Sequence, residues 1–235
     1  MERIKVLILG CLSLVAFPMM AAMDVLSFGA KGDGKTLCTH AIQAAIDKAG
    51  VQGGEVRFPS GTYLTGTLIL KDNVTLNLER GAVLLGSTRL EDYPPTPSHY
   101  ISHINRYTHS CLIYAEGVKN IAIKGEGIID GQGTHLNFKA DENDVLKSIL
   151  RRPYIIRAVS CEQIKVSGIT LRNSPAWMQH YLNCTNILVD GITVLNHGNY
   201  NNDGIDIDNC KNVRIVNSNF DTDDDAICFK TTNAT

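Results

Sequence analysis

The chain has 235 residues, of which 44% are hydrophobic and 20% are charged, so it can bury a substantial core and we expect one globular domain. Its formal net charge of −2 and its pI near 6.4 exclude the strong basic field that binding to nucleic acid or to an anionic membrane requires.

The first 22 residues have the pattern of a secretory signal peptide. Arg3 and Lys5 form a short charged head, residues 6–20 are mostly apolar, and two alanines follow. This apolar stretch is shorter than the roughly 20 residues that a membrane-spanning helix needs. We therefore expect residues 1–22 to be removed as the protein is secreted or enters the periplasm, leaving a domain of residues 23–235 with no membrane attachment.

Residues 39–48 predict a helix, because Ala41, Ile42, Ala45 and Ile46 recur at helical spacing. The open end of a stack of structural repeats needs a cover, so we expect this helix to cap the N-terminal end of the repeats that follow.

A short phrase recurs along the chain and predicts the fold. In each copy an Asn or Gln precedes alternating aliphatic residues, and the copies begin at Asn73, Asn120, Gln163, Asn186 and Asn212. Their starts lie 47, 43, 23 and 26 residues apart, which is one or two turns of a period in the low to middle twenties. This recurrence is typical of an all-β, single-stranded parallel β-helix, in which asparagine favours the turns between strands.

The cysteines left after leader removal are even in number, which permits disulfides in an exported chain. They are Cys38, Cys111, Cys161, Cys184, Cys210 and Cys228. Three of them, at positions 161, 184 and 210, precede copies of the repeated phrase by two residues. We expect these three to form a column of small buried side chains, with disulfide bridges as the alternative. The close CxxC spacing of zinc sites is missing, so we expect no metal there.

Residues 91–109, which include three prolines, and residues 135–150 interrupt the repeat. We expect both to project as loops, and loops on a rigid scaffold often shape a binding cleft.

Two aspartate-rich segments carry the strongest functional signal. NNDGIDID begins at Asn201 and DTDDDAIC begins at Asp221, and aligning them places Asp203 beside Asp225 at an offset of 22 residues. In a parallel coil, residues one turn apart lie on neighbouring strands about 4.8 Å apart. Asp203, Asp224 and Asp225 should therefore form one acidic patch, in which mutual repulsion raises pKa values and suits one carboxyl to donate a proton while another stays ionised.

The alternation of the two strands adds a constraint. Asp203 and Asp225 share the inward phase of Ile205 and Ile227, so they must lie on the bend before each strand, where alternation no longer holds. A calcium site is an alternative reading of the patch, but the glycine and the distant glutamate of an EF-hand loop are missing.

Six segments together resemble glycoside hydrolase family 28, the polygalacturonase-like enzymes. They are FGAKGDGKT from Phe28, GGEVRFPSGTYLTGTLILKDNVTL from Gly53, GIIDGQG from Gly127, RNSPAW from Arg172, NNDGIDI from Asn201 and DDAICFK from Asp224. The resemblance implies a right-handed parallel β-helix that hydrolyses α-linked galacturonic acid in pectin with inversion, acts as a monomer and uses no metal or organic cofactor. It implies that Asp224 is the general acid and that Asp203 and Asp225 activate water. It also places Asn202 as the asparagine of the family's motif, and we expect Asn202 to bind the substrate.

The chain departs from the family pattern in three ways. No threonine separates Asn202 from Asp203, and Asp223 replaces a glycine, which adds a charge and would add strain if the position required a positive φ. The family's downstream Gly-His-Gly and Arg-Ile-Lys motifs do not occur in the sequence. We therefore expect the β-helix to be incomplete at its C-terminal end.

Further residues are candidates for contact with the substrate. Asp206, Asp208 and Lys230 occupy the outward phase of the last strands, where Lys230 would pair with a uronate. His180 lies 26 residues before Asp206, the same step as from Cys184 to Cys210, which places it one coil away. For all of them, a solvated strand face is the alternative. Trp177 is expected either to stack on a sugar ring or to pack near the turn after Pro175, and His197 matches no specific pattern.

Two other functions remain open. A lyase on the same kind of helix would use calcium and a base to eliminate across the uronate. A non-catalytic, carbohydrate-binding or adhesive solenoid would need no downstream histidine or arginine. The sequence does not distinguish cleavage inside the polymer from cleavage at its ends.

Overall fold

The computed structural model describes residues 22–100, 102, 110–139 and 151–232, which form a right-handed parallel β-helix of three sheets. The first sheet contains β1 (Met23–Asp24), β3 (Gly54–Phe58), β6 (Val74–Leu78), β9 (Lys119–Gly125), β12 (Glu162–Ser167), β15 (Thr185–Asp190) and β18 (Lys211–Val216). The second contains β2 (Asp33–Leu37), β4 (Gly61–Thr65), β7 (Ala82–Gly86), β10 (Ile128–Asp130), β13 (Thr170–Arg172), β16 (Thr193–Asn196) and β19 (Asn219–Thr222). The third contains β5 (Leu68–Ile69), β8 (Cys111–Glu116), β11 (Tyr154–Val159), β14 (Gln179–Leu182), β17 (Ile205–Asp208) and β20 (Ile227–Lys230).

The repeated phrase marks the first sheet, as predicted. Its five leading residues all adopt a left-handed backbone, with φ of 59° at Asn73, 55° at Asn120, 59° at Gln163, 60° at Asn186 and 56° at Asn212. Asparagine tolerates this conformation better than most residues with a side chain. Side-chain amides also bond from coil to coil, since Asn120 Nδ2 donates to Asn73 Oδ1 at 2.9 Å and Asn212 Nδ2 donates to Asn186 Oδ1 at 3.0 Å.

The aliphatic residues of these phrases stack in register and form the core. One column joins Ile121, Ile164, Ile187 and Val213 through the pairing of β9, β12, β15 and β18. The three isoleucines are buried. Full burial of such a side chain stabilises a fold by about 1.5–3 kcal/mol, so each coil adds a similar apolar contribution.

The three aligned cysteines form the predicted column, in which Cys161 and Cys184 are buried and Cys210 is half-buried, and the alternative of disulfide bridges is not observed. The Cys161 amide donates to Cys184 Sγ at 3.4 Å, and the Cys184 amide donates to Cys210 Sγ at 3.3 Å. All six cysteines in the described part of the chain are free thiols.

The predicted capping helix, α1, spans Thr39–Gln52 and is four residues longer than the sequence pattern indicated. Its buried face consists of Ile42, Ala45, Ile46 and Ala49 and covers the N-terminal end of the coils. No helix within the described ranges combines the length and hydrophobicity needed to cross a bilayer. The expected leader falls outside those ranges, apart from Ala22.

The bends that connect the second sheet to the third stack at one corner of the β-helix. Gly133 donates to Asn173 O at 2.7 Å, Asn173 donates to Leu195 O at 3.0 Å, and Asp223 donates to Asn196 O at 3.2 Å. Successive bends are thus hydrogen-bonded to each other, and this corner carries the candidate site. The described part of the predicted loop at 91–109 contacts the outer face of the third sheet, where Arg157 donates to Thr96 O at 3.2 Å, and residues 101 and 103–109 lie outside the described ranges. Residues 140–150 of the second predicted loop lie outside the described residues.

Asn186 tests the role of the left-handed turns. Asn186→Ala should lower the free energy of unfolding by about 1–2 kcal/mol, because alanine is strained in this conformation. Asn186→Gly loses the same hydrogen bond from Asn212 but adopts positive φ without strain, so it should be less destabilised. Urea unfolding of the two variants measures the difference, and equal stabilities would contradict the explanation.

Candidate active site

The acidic patch is built from two consecutive bends at this corner. Asp203 lies in the bend before β17, and Asp224 and Asp225 lie in the bend before β20. The predicted offset of 22 residues is confirmed, because Ile205 pairs with Ile227 and the Gly204 amide donates to Asp225 O at 2.8 Å. The aspartates precede the strands, as the alternation argument required.

The three carboxylates converge. One carboxylate oxygen from each of Asp203, Asp224 and Asp225 lies within 4.8 Å of the other two. Asp203 is buried, with 4% of its surface exposed, whereas Asp224 and Asp225 are exposed. Within the described residues, the patch therefore has a buried carboxylate and two exposed ones.

Burial and neighbouring charge hold protons in this patch. Burial, with the nearby Asp224 carboxylate, raises the pKa of Asp203 to about 7. Burial, with the charge of Asp203, raises the pKa of Asp206 to about 8, although Lys230 opposes that shift. Asp203 and Asp206 therefore exchange protons near neutral pH.

A buried amide network holds the bend that carries Asp203. Asn196 Nδ2 donates to Asp203 O at 3.1 Å, and its Oδ1 accepts from Asn202 Nδ2 at 3.1 Å and from the Ser174 amide at 2.8 Å. Asn202 Oδ1 accepts from the Asn199 amide at 2.8 Å. Both asparagine side chains are fully buried, so Asn202, which we expected to bind substrate, is positioned to shape the bend instead. Asn196 was missed by the sequence reasoning.

Arg152 is a second missed residue. Its buried guanidinium donates to Pro175 O at 2.9 Å, to Asn201 Oδ1 at 2.7 Å and to Tyr200 O, and burial lowers its pKa to about 10. It connects the bend after β13 to the segment just before Asp203. Pro175 and Asn201 lie 23 and 49 residues away, which is one and two coils, so the period could have placed them near Arg152. No repeated phrase or motif marks Arg152 itself as a residue of the site.

The predicted outward residues of the third sheet have the expected register but are covered. His180 pairs with Asp206, and Asp208 pairs with Lys230, so His180 does lie one coil from Asp206. However, His180, Asp206 and Asp208 are 0% exposed. The expectation that they line an open cleft is wrong for this arrangement, because aromatic rings and chain segments pack over that face. Burial also lowers the pKa of His180 to about 4, which keeps its imidazole neutral.

Trp177 provides part of this cover. Its ring stacks on Tyr154 with centroids 5.1 Å apart, and it meets the edge of His180 at 5.3 Å. The packing alternative is therefore the one observed. Lys230 Nζ lies 4.7 Å from the centre of the Trp177 ring and 2.9 Å from Asp206 Oδ1, and 20% of the lysine side chain remains exposed.

Asp223 carries no backbone strain, because its φ is not positive. Its carboxylate instead contacts the imidazole of His197, a residue for which the sequence indicated no role. The three converging aspartates are also close enough to share a cation, but calcium commonly takes six to eight oxygen ligands.

Comparison with known proteins is consistent with this arrangement. The sequence model described as "Glycosyl hydrolases family 28" matches residues 55–234. The chain is 37% identical to a probable polygalacturonase of Vitis vinifera, covering 88% of this chain and 44% of that protein. It is 32% identical to an exo-poly-alpha-D-galacturonosidase of Dickeya chrysanthemi, covering 88% and 41%. The family 28 exopolygalacturonase of Yersinia enterocolitica superimposes with a TM-score of 0.78 at 32% identity, covering 89% of this chain and 45% of that one.

The chain thus spans less than half the length of these relatives. The family match nevertheless extends over most of its residues and includes both acidic bends. This chain belongs to family 28 of the glycosyl hydrolases.

Proposed function

We propose that the protein hydrolyses α-linked galacturonic acid in pectic polysaccharide. Asp224 donates a proton to the leaving oxygen, and Asp203 and Asp225 activate the attacking water. The observation that carries this proposal is the convergence of three carboxylates from two consecutive coils within 4.8 Å. The names of the relatives, polygalacturonase and exo-poly-alpha-D-galacturonosidase, support the substrate.

Inversion at the anomeric carbon is part of the proposal and rests on the family resemblance. A two-carboxylate enzyme usually inverts when the two groups are about 6.5–9.5 Å apart and retains when they are about 5–5.5 Å apart. The close spacing here would by itself favour retention. With three carboxylates, two can share a water while the third protonates the sugar oxygen, so the usual distance rule does not transfer directly. Proton NMR of the first product formed identifies its anomer.

The raised pKa of Asp203 predicts how activity depends on pH. A base must be ionised, and Asp203 loses its proton only as the pH approaches about 7. The acidic limb of the activity profile should therefore follow the titration of this buried group.

Lys230 is the proposed contact for the substrate carboxylate, because its side chain is partly exposed and its ammonium lies 2.9 Å from Asp206. His180, Asp206 and Asn202 are proposed to support the site from below rather than to touch the sugar, since all three are fully buried. We also propose that residues 1–22 direct export and that the protein acts as a monomer without a cofactor.

A calcium-dependent lyase is the second candidate, because the same three carboxylates could share a cation. Incubation with polygalacturonate separates the two reactions. Hydrolysis releases reducing ends without ultraviolet absorption and persists in the presence of a chelator. Elimination forms an unsaturated, ultraviolet-absorbing product and stops when calcium is removed.

Asp224→Asn tests the assignment of the acid. Asparagine cannot donate the proton, so the release of reducing ends should fall by about 10²–10⁴-fold, while circular dichroism stays unchanged. Asp47→Asn, the same change on the exposed face of α1, is the matched control and should retain the rate. Near-normal hydrolysis by the Asp224 variant would refute the assignment.

Asp203→Asn should abolish hydrolysis and stabilise the fold at the same time. Asp203 binds its proton more tightly in the folded state, where its pKa is about 7, than in the unfolded chain, where it is about 3.9. Between these values the folded state holds more protons, so the contribution of this group to stability is lost as the pH rises. The variant should gain up to about 4 kcal/mol at pH 8 and little at pH 4.

Thermal unfolding at the two pH values checks this expectation. A variant that is less stable than the parent at pH 8 would contradict the explanation, and so would one that gains the same stability at both pH values. Either result would show that ionising the buried Asp203 carboxyl does not destabilise the fold.

A further inference from the structure

His197 joins two carboxylates next to the acidic patch. Its Nδ1 lies 2.6 Å from Asp223 Oδ1, and its Nε2 lies 3.0 Å from Asp221 Oδ1. A neutral imidazole has one donor nitrogen and one acceptor nitrogen, whereas an imidazolium has two donors. Because both nitrogens face oxygens that only accept, the geometry requires the protonated ring.

The positions of these residues connect the two catalytic bends. His197 follows β16 and begins the segment that leads to Asp203. Asp221 lies on β19, and Asp223 begins the bend that carries Asp224 and Asp225. The Asp223 amide also donates to Asn196 O at 3.2 Å, beside His197. One imidazolium therefore ties the proposed acid bend to the segment that holds the buried carboxylate.

The His197 contact counteracts electrostatic repulsion between the aspartates around it. The bend and the strand before it contain four acidic groups, Asp221, Asp223, Asp224 and Asp225, and like charges this close repel each other. In the part of the chain that the structure describes, the ionisable groups that face the His197 ring are Asp221 and Asp223, and the hydrogen bond that His197 donates to Asp223 is the main reason that the pKa of His197 is raised. Protonated His197 thus offsets repulsion that would otherwise spread the bend.

The same pairing gives a reason for a departure from the family pattern. The resemblance places a glycine at position 223, whereas this chain has Asp223, and Asp223 is the closer partner of His197. The acidic residue that adds a charge to the patch is the one that the histidine neutralises.

We propose that His197 is a positioning residue of the proposed hydrolase, and that its protonated ring, held by Asp221 and Asp223, keeps the bend of Asp224 and Asp225 in place opposite Asp203. This inference rests on the proposed function. Both partners are exposed, so the contact adds little to global stability. Its effect falls on the geometry of the catalytic groups, where small displacements reduce the rate strongly.

The His197 contact depends on pH because it requires the positive charge of the protonated ring. His197 gains its partners as a cation, so the contact is present below its raised pKa and is lost as the pH rises through that value. The ratio of wild-type to variant activity isolates this effect, because titration of the catalytic aspartates affects both enzymes.

His197→Gln is the test variant. At pH 5 its kcat for polygalacturonate should be about tenfold below wild type with little change in KM, and the ratio should approach one by pH 9. Asp223→Asn should show the same convergence. His40→Gln, on the exposed face of α1, is the matched control and should keep a ratio of one throughout. A purely structural role for His197 predicts a deficit that does not change with pH.

Histidine titration by NMR provides a readout that does not depend on catalysis. The His197 signal is identified by its loss in His197→Gln, and its pKa should lie above that of an ordinary histidine and fall in Asp223→Asn. If that shift is observed but the wild-type chain releases no reducing ends at any pH, the proposed function fails and the contact stands. The positioning role is overturned if the wild type is active but the ratio of wild-type to variant activity does not change with pH. It is also overturned if the pKa of His197 is the same in Asp223→Asn as in the wild type.

Discussion

The hydrogen-bonded ladder between consecutive coils is the constraint on which the rest of this structure depends. Beyond the first strand of each sheet, every described strand pairs in parallel with the preceding strand of that sheet, so consecutive bends stack on one another. A side chain placed on one bend is then brought within a few ångströms of the next. The acidic site needs no loop of special length, because the register of β17 and β20 alone brings Asp203 near Asp225.

The same ladder explains why the acidic patch destabilises the folded protein. Stacking brings like charges together, and burial of Asp203 beneath Asp224 favours the uncharged form of the group. A scaffold that holds such a patch must be rigid for other reasons. Here the rigidity comes from buried aliphatic columns in the first sheet and from the buried amides of Asn196 and Asn202 under the bend. In the proposed mechanism, activity and stability therefore make opposite demands on Asp203.

Most of the architecture was predictable because its signals are local and repeated. The left-handed asparagines at the repeated phrase, the cysteine column and the offset between the two acidic segments follow from period and residue type. The sequence predicted less well which side chains are exposed to solvent. Asp206 and His180 have the expected register, yet they are buried, because Trp177 and Tyr154 cover the outer face of the third sheet. Alternation along a strand tells which way a side chain points and not what lies above it.

The sequence by itself determined the family, the coil period, and which aspartates meet, since a parallel register converts spacing along the chain directly into proximity. Only the tertiary structure decided which groups are desolvated and which distant side chains complete the site. Arg152 lies one and two coils from Pro175 and Asn201, and His197 lies one coil from Asp223, but all of them stand in bends where no strand alternation indicates which way a side chain points. The protonation of Asp203 was likewise decided in three dimensions, because a pKa depends on the surrounding solvent and charge and not on the residues adjacent in sequence.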